Sequence, residues 1–259
     1  MTQLATKIGH RPAWIDLSSK DTVASRGFYS KLFGWHIDVN PDPKYGGYGR
    51  ATLDGRDAAG ITPTQAKEQP TAWNFYIHTD DVDATTRLVE EAGGKIAMAP
   101  LDLPDQGRMA VFQDPSGAYI SVWQPTRMGG FEANGANTFG WAELNAHGVE
   151  RDVPFYEHVF GWTTKRTPVP GGSEYIEFQV DGTSVAGATE MTPTAAPSAP
   201  SHWLVYINVD DVAKVAKKAV DLGALQLVPP QAYGSGEFAI LADPQGAAFG
   251  LLKSADGER

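Results

Sequence analysis

Cysteine is absent from all 259 residues, which excludes disulfides, thiolate nucleophiles and zinc-thiolate sites together. No apolar run approaches the roughly 18 residues of a membrane span. The opening MTQLATKIGHRPAW lacks the hydrophobic stretch of a secretory leader, so a cytoplasmic location is expected. Positive charge is in deficit, with 21 Lys and Arg against 31 Asp and Glu and a formal charge of −10. Nucleic acid and anionic membrane both reward Lys and Arg, so neither is expected as a partner. No G-x-x-x-x-G-K-[ST] or G-x-G-x-x-G loop follows a strand-like run, which leaves nucleotide phosphates without a cradle. No G-x-S-x-G elbow supports acyl transfer. GGYG at Gly46 reads as a loop, and GSG at Gly234 to Gly236 as a loop that lids the second half.

What the chain does have is repetition. WIDLSSKDTVASRGFYSKLFGW, from Trp14 to Trp35, returns as WAELNAHGVERDVPFYEHVFGW, from Trp141 to Trp162. Phe28-Tyr29 and Gly60 match Phe155-Tyr156 and Gly187 at the same spacing, and Trp73 and Asp80 to Val82 recur as Trp203 and Asp210 to Val212. DPSGA at Asp114 returns as DPQGA at Asp243. A spacing that drifts by only a few residues means two homologous halves with small loop insertions. Each half divides again into a strand, an Asp-capped helix and further strands, so the pattern predicts four β-α-β-β-β modules at about 12–64, 71–124, 138–190 and 201–253. Gly34 ends the first helix, DG at Asp54 turns a hairpin, and Pro154 sits near the start of the third helix, where its missing N–H costs little. The expected domains are 10–125 and 138–254, joined by a linker at 126–137. TPTAAPSAPS, from Thr192 to Ser201, has linker composition but falls inside the second half. At 42% hydrophobic and 20% charged, each half can bury a core.

These features together, the FY-x-x-[LV]-FGW helix end, the W-x-[DE]-L opening and the DPxGA turn, resemble the vicinal oxygen chelate superfamily of glyoxalases, bleomycin-resistance proteins and extradiol dioxygenases. The tandem two-domain, glyoxalase-like branch is the most similar, and the resemblance covers about residues 12–253. It implies an α+β fold whose paired modules curl mixed sheets into funnels, with helices outside and ligand on the concave face. It also implies where a metal would be held: His at the first inward position of an opening strand and Glu on a closing strand. Those positions hold Trp14, Asn74, Trp141 and Leu204, then Ser121 and Gly250. Indole and leucine offer no lone pair, and a catalytic divalent site needs about three N or O ligands. The expectation is therefore no metal and no other cofactor.

Strand alternation sends Trp14 and Asp16 to the inner face, along with Asn74, Tyr76 and His78, and Tyr119, Ser121 and Trp123. In the second half it sends Trp141, Glu143 and Asn145 inward, with Leu204, Tyr206 and Asn208. Trp73 and Trp203 join the rings expected to crowd the funnels. Aromatic walls suit a flat apolar or conjugated ligand, or else they fill a collapsed funnel as core. Asp16 and Glu143 are the candidate acid–base residues, because a carboxylate in an apolar funnel has a raised pKa. The alternatives are an anchor for a cationic or hydroxylated ligand, or a carboxylate satisfied by Arg50, Arg108 or a backbone N–H. The first funnel reads as more polar. Leu204 and Gly250 make the second read as roomier.

Three functions follow from this reading. The first is metal-independent binding, with or without acid–base conversion, of a small aromatic or quinone-like molecule. The second is a glyoxalase-type lyase or isomerase acting on an aldehyde or thiol adduct. The third is a pseudo-enzyme with closed funnels. Four modules in one chain supply the partners that single-domain relatives gain by dimerising, so a monomer is expected.

Overall fold

The computed structural model describes residues 9–169, 173–191, 199–234 and 236–254. The first module runs through β1 (Pro12–Ser19), α1 (Thr22–Phe33), β2 (His36–Val39), β3 (Gly49–Leu53) and β4 (Arg56–Pro63). The second has β5 (Ala72–His78), α2 (Val82–Glu91), β6 (Lys95–Leu103), β7 (Gly107–Gln113) and β8 (Tyr119–Pro125). The third has β9 (Phe139–Ala146), α3 (Val153–Phe160), β10 (Thr163–Pro168), β11 (Glu174–Val180) and β12 (Thr183–Glu190). The fourth has β13 (His202–Asn208), α4 (Val212–Asp221), β14 (Leu225–Tyr233), β15 (Gly236–Ala242) and β16 (Ala248–Lys253). The expected lid has Ser235 outside the described residues, as does most of the linker-like run, Thr192 to Ser198.

Local chemistry sets these boundaries. Asp21 accepts from the N–H groups of Val23 (3.1 Å) and Ala24 (3.0 Å), and Gly34 closes α1 in the left-handed region at φ 77°. Such capping satisfies backbone groups that a helix end leaves orphaned. Asp81 and Asp211 cap α2 and α4 in the same way. The hairpin aspartates Asp54 and Asp181 both adopt φ 51°, as a tight turn between strands requires.

The strands form two eight-stranded mixed sheets. Their orders are β2-β3-β4-β1-β5-β8-β7-β6 and β10-β11-β12-β9-β13-β16-β15-β14. Within each module the first and last strands pair in parallel, as β1 with β4, β5 with β8, β9 with β12 and β13 with β16.

Packing density divides the chain differently. One compact unit comprises the described residues of 1–13, 76–129 and 143–203, and the other those of 14–75, 130–142 and 204–259. In the second of these, Tyr29 of α1 is ringed by Phe28, Phe33, Trp35, Trp73 and Phe249. Its hydroxyl donates to Asp243 Oδ2 (3.0 Å) and accepts from Trp73 Nε1 (3.1 Å). The other unit repeats the arrangement. Tyr156 donates to Asp114 Oδ2 (2.9 Å) and accepts from Trp203 Nε1 (2.8 Å). The second oxygen of each aspartate caps its own turn: Asp114 Oδ1 accepts from Ser116 and Ala118, and Asp243 Oδ1 from Gln245 and Ala247. Trp73 and Trp203 therefore lie on the helix side as core. Of the two readings the sequence left open for them, funnel ring or core, this is the second; alternation from Asn74 and Leu204 turns them to the helix side, and the hydrogen bond to a buried tyrosine satisfies each indole N–H there.

Candidate functional site

The opening strand β1 places Trp14, Asp16 and Ser18 on the face opposite α1, because Ile15 and Leu17 take the helix side. Asp16 is only 4% exposed. Asn74 Nδ2 donates to Asp16 Oδ1 at 2.7 Å and to Ser18 Oγ at 2.9 Å. Trp14, 2% exposed, donates its indole N–H to Tyr48 Oη at 2.7 Å. Tyr48 lies across Gly60, where any Cβ would fall 1.9 Å from its hydroxyl oxygen. Burial first and the Asp16 charge second hold the Tyr48 phenol well above its usual pKa, so at neutral pH it stays a hydroxyl. Phe131 of the inter-half segment packs on Trp14, with ring centroids 5.6 Å apart, and stacks on Phe139 at 4.7 Å. This face of the first module is filled and polar-satisfied.

Arg50 is not the partner of Asp16. Arg50 sits two strands from Asp16 across Gly60, and its guanidinium forks onto the buried Asp57. Arg108 binds Asp83 (2.6 Å) and Asp102 (2.7 Å) instead. Both arginines find acids on other elements, Asp57 on β4, Asp102 on β6 and Asp83 on α2, which a repeat pattern does not reveal.

In the second module Tyr76 registers with Ser121, and His78 with Trp123, all four buried. His78 Nδ1 lies 3.2 Å from the Gly9 carbonyl oxygen, and Trp123 donates to Met128 O at 2.9 Å. Tyr119, at the start of β8, is 60% exposed. In the fourth module Leu204, Tyr206 and Asn208 are buried. A Cβ on Gly250 would meet Tyr206 Cδ1 at 2.1 Å. Gly250 is thus a slot filled by a tyrosine ring, and the roominess read from its missing side chain is corrected. Asn208 donates to Phe139 O at 3.3 Å, and its Oδ1 meets no donor among the described residues.

The third module differs in access. Trp141, Glu143 and Asn145 on β9 are all half-buried. Across the strands one row reads Lys165, Glu177, Gly187, Glu143, where the first module reads Asp38, Arg50, Gly60, Asp16. Glu177 is held by Lys165 Nζ (3.0 Å) and by the Ser184 hydroxyl (2.5 Å). Asn145 Nδ2 lies 3.4 Å from Glu143 Oε1. Two carboxylates thus flank a glycine floor, about two strand spacings (roughly 9–10 Å) apart between Cα atoms. Tyr48, Phe131 and the Glu177 row were missed in the sequence. The charge-reversed match of Arg50 to Glu177 was the available clue.

A divalent ion of the kind the fold family uses does not fit these donors. Among the described residues no three His, Asp or Glu side chains converge, and the counterpart positions offer indole, amide, leucine, hydroxyl and glycine.

Both halves match the Glyoxalase/Bleomycin resistance protein/Dioxygenase superfamily, over residues 11–122 and 138–251, and the chain belongs to that family. The chain is 39% identical over 250 residues to "Putative glyoxylase CFP32" of Mycobacterium tuberculosis, covering 94% of this chain and 95% of that protein. It is 36% identical over 261 residues to "Anthracycline biosynthesis protein DnrV" of Streptomyces peucetius, covering 95% and 94%. Among solved structures, an Mn(II)-bound glyoxalase from Novosphingobium aromaticivorans superposes with a TM-score of 0.68 at 17% identity, covering 95% of this chain and 82% of that one. The 2,3-dioxygenase LapB from Pseudomonas sp. KL28 gives 0.67 at 15%, covering 96% and 94%. At that identity the likeness establishes the fold alone.

Proposed function

We propose that the chain binds a small planar aromatic or quinone-like molecule without a metal, on the helix-free face of its third module. The observation that carries this reading is the difference between the two opening strands. Asp16 is buried under Trp14, Tyr48 and Phe131, whereas Glu143 and Trp141 on β9 are half-buried and reach solvent. Trp141 supplies a stacking surface, and Glu143 serves as anchor or as acid–base group toward a ligand hydroxyl. The name of the Streptomyces relatives, which ties them to anthracycline biosynthesis, supports a polycyclic aromatic ligand.

Titration with a dihydroxyanthraquinone, followed by tryptophan fluorescence and calorimetry, tests it. Trp141→Ala should weaken binding about tenfold. Glu143→Gln should leave affinity within about tenfold while abolishing any turnover. Absence of quenching across a diverse ligand set would support closed funnels instead. One observation favours that reading: Gly60 and Gly250 are each filled by a tyrosine ring, while two open grooves of about 340 and 320 Å³ lie beside α1 and α3. A glyoxalase-type lyase, as the mycobacterial relative's name suggests, would require about one bound metal per chain in purified protein.

A further inference from the structure

Asp152, at the junction of β9 and α3, is fully buried, and neither of its carboxyl oxygens meets a hydrogen-bond donor among the described residues. It does not cap its helix, unlike Asp21 at α1. The repeat shows what stands at the equivalent position. Its counterpart in the first half is Ser25, whose hydroxyl lies 2.9 Å from Ser19 Oγ and accepts from Gln245 Nε2 at 2.6 Å. At the matching positions the third module has Ala146 where the first has Ser19, and the second module has Ser116 where the fourth has Gln245. Where one compact unit holds a bonded network of neutral groups, the other holds an acid whose oxygens make no hydrogen bond among the described residues.

The surroundings oppose its charge. Burial and the carboxylate of Asp114 push Asp152 up to about 7, tempered by the nearby hydroxyl and N–H of Ser116 and by Arg151. Asp114 is itself raised, mainly by burial, and its oxygens already accept from Ser116, Ala118 and Tyr156. From α3, Tyr156 turns its hydroxyl to Asp114, and Trp203 of β13 donates to Tyr156. Arg151 points its guanidinium to His147 O at 2.7 Å, and Glu190 of β12 accepts from the N–H groups of Gly148 and Val149. The short 3-10 turn Val149–Arg151 joins β9 to Asp152, which leads directly into α3 at Val153.

We propose that Asp152 is a proton-operated latch on the β9–α3 connection: when neutral it lets the turn 148–152 lie closed over Asp114, and when ionised it drives the turn open so that its carboxylate reaches water. The connection extends the strand that carries Glu143, so opening loosens the end of that strand. The latch stands whether or not the third module binds an aromatic ligand.

The sign follows from linkage. A carboxyl near its ordinary pKa of about 4 when open and about 7 when closed favours opening about tenfold more per pH unit between those limits, and no further above. Hydrogen exchange of amides 147–153, corrected for intrinsic rates, should therefore rise about tenfold per unit from pH 5 to 7 and then level off. Asp152→Ser, which restores the first half's residue, should give a flat profile, with Asp152→Asn as a second variant. A flat profile in the parent protein, or an unchanged slope in both variants, overturns the latch. So does a carbon NMR titration of the Asp152 carboxyl centred near pH 4.

Discussion

A carboxylate in this chain is governed by the donors beside it. Asp57 is buried and receives the fork of Arg50, Asp114 and Asp243 each cap a turn and receive a tyrosine hydroxyl, and Asp152 has neither. A buried charge without a partner is costly. Because Asp152 is raised, its penalty is absent below about pH 4, grows as pH rises, and is complete above about pH 7. Asp152→Ser should thus stabilise the protein by about 1–3 kcal/mol at pH 8 and by little at pH 4, read from urea unfolding at both. The tyrosine relays make the opposite test. Tyr29→Phe strands Asp243 Oδ2 and the indole N–H of Trp73 in the core, and should cost about 2–4 kcal/mol in the same assay.

Glycines within elements have opposite consequences according to what approaches them. On β4, Gly60 makes room for the Tyr48 ring that closes the first module's face. A methyl group there must displace that ring, so Gly60→Ala should destabilise by about 1–3 kcal/mol in thermal unfolding. Within α1, Gly27 has no atom within 4 Å of an added Cβ. Gly27→Ala should therefore stabilise by about 0.5–1 kcal/mol, because the helical backbone accepts alanine at lower entropic cost. If the two variants shifted stability in the same direction, the packing around Tyr48 would be wrongly described.

At the scale of the molecule, each compact unit draws on both halves of the sequence. Phe249 of the fourth module packs on Phe28, Tyr29 and Phe33 of the first, and Tyr156 of the third module bonds Asp114 of the second. A fragment of residues 1–129 loses the partners of α1 and exposes its apolar face. It should fail to fold alone, as read by near-ultraviolet circular dichroism, and should regain native signal when co-expressed with residues 130–259. None of the described helices is long and apolar enough to cross a membrane.

How much of this was legible in the sequence varies by residue. Asp21 and Gly34 announce the ends of α1 because capping is local chemistry, and the repeat of FGW and DPxGA counts the modules because duplicated segments keep their packing partners. Alternation placed Trp14 and Asp16 on one face, since side-chain direction along a strand follows from the backbone itself. It could not find the Tyr29 hydroxyl as the partner of the Trp73 indole, Asn74 as the partner of Asp16 or Tyr206 as the filling of Gly250. Composition and local order thus determined the family of fold and the number of its modules. Only the tertiary structure decided which carboxylates are satisfied, which rings are core and where a proton is held, because those depend on atoms brought together from strands far apart in the chain.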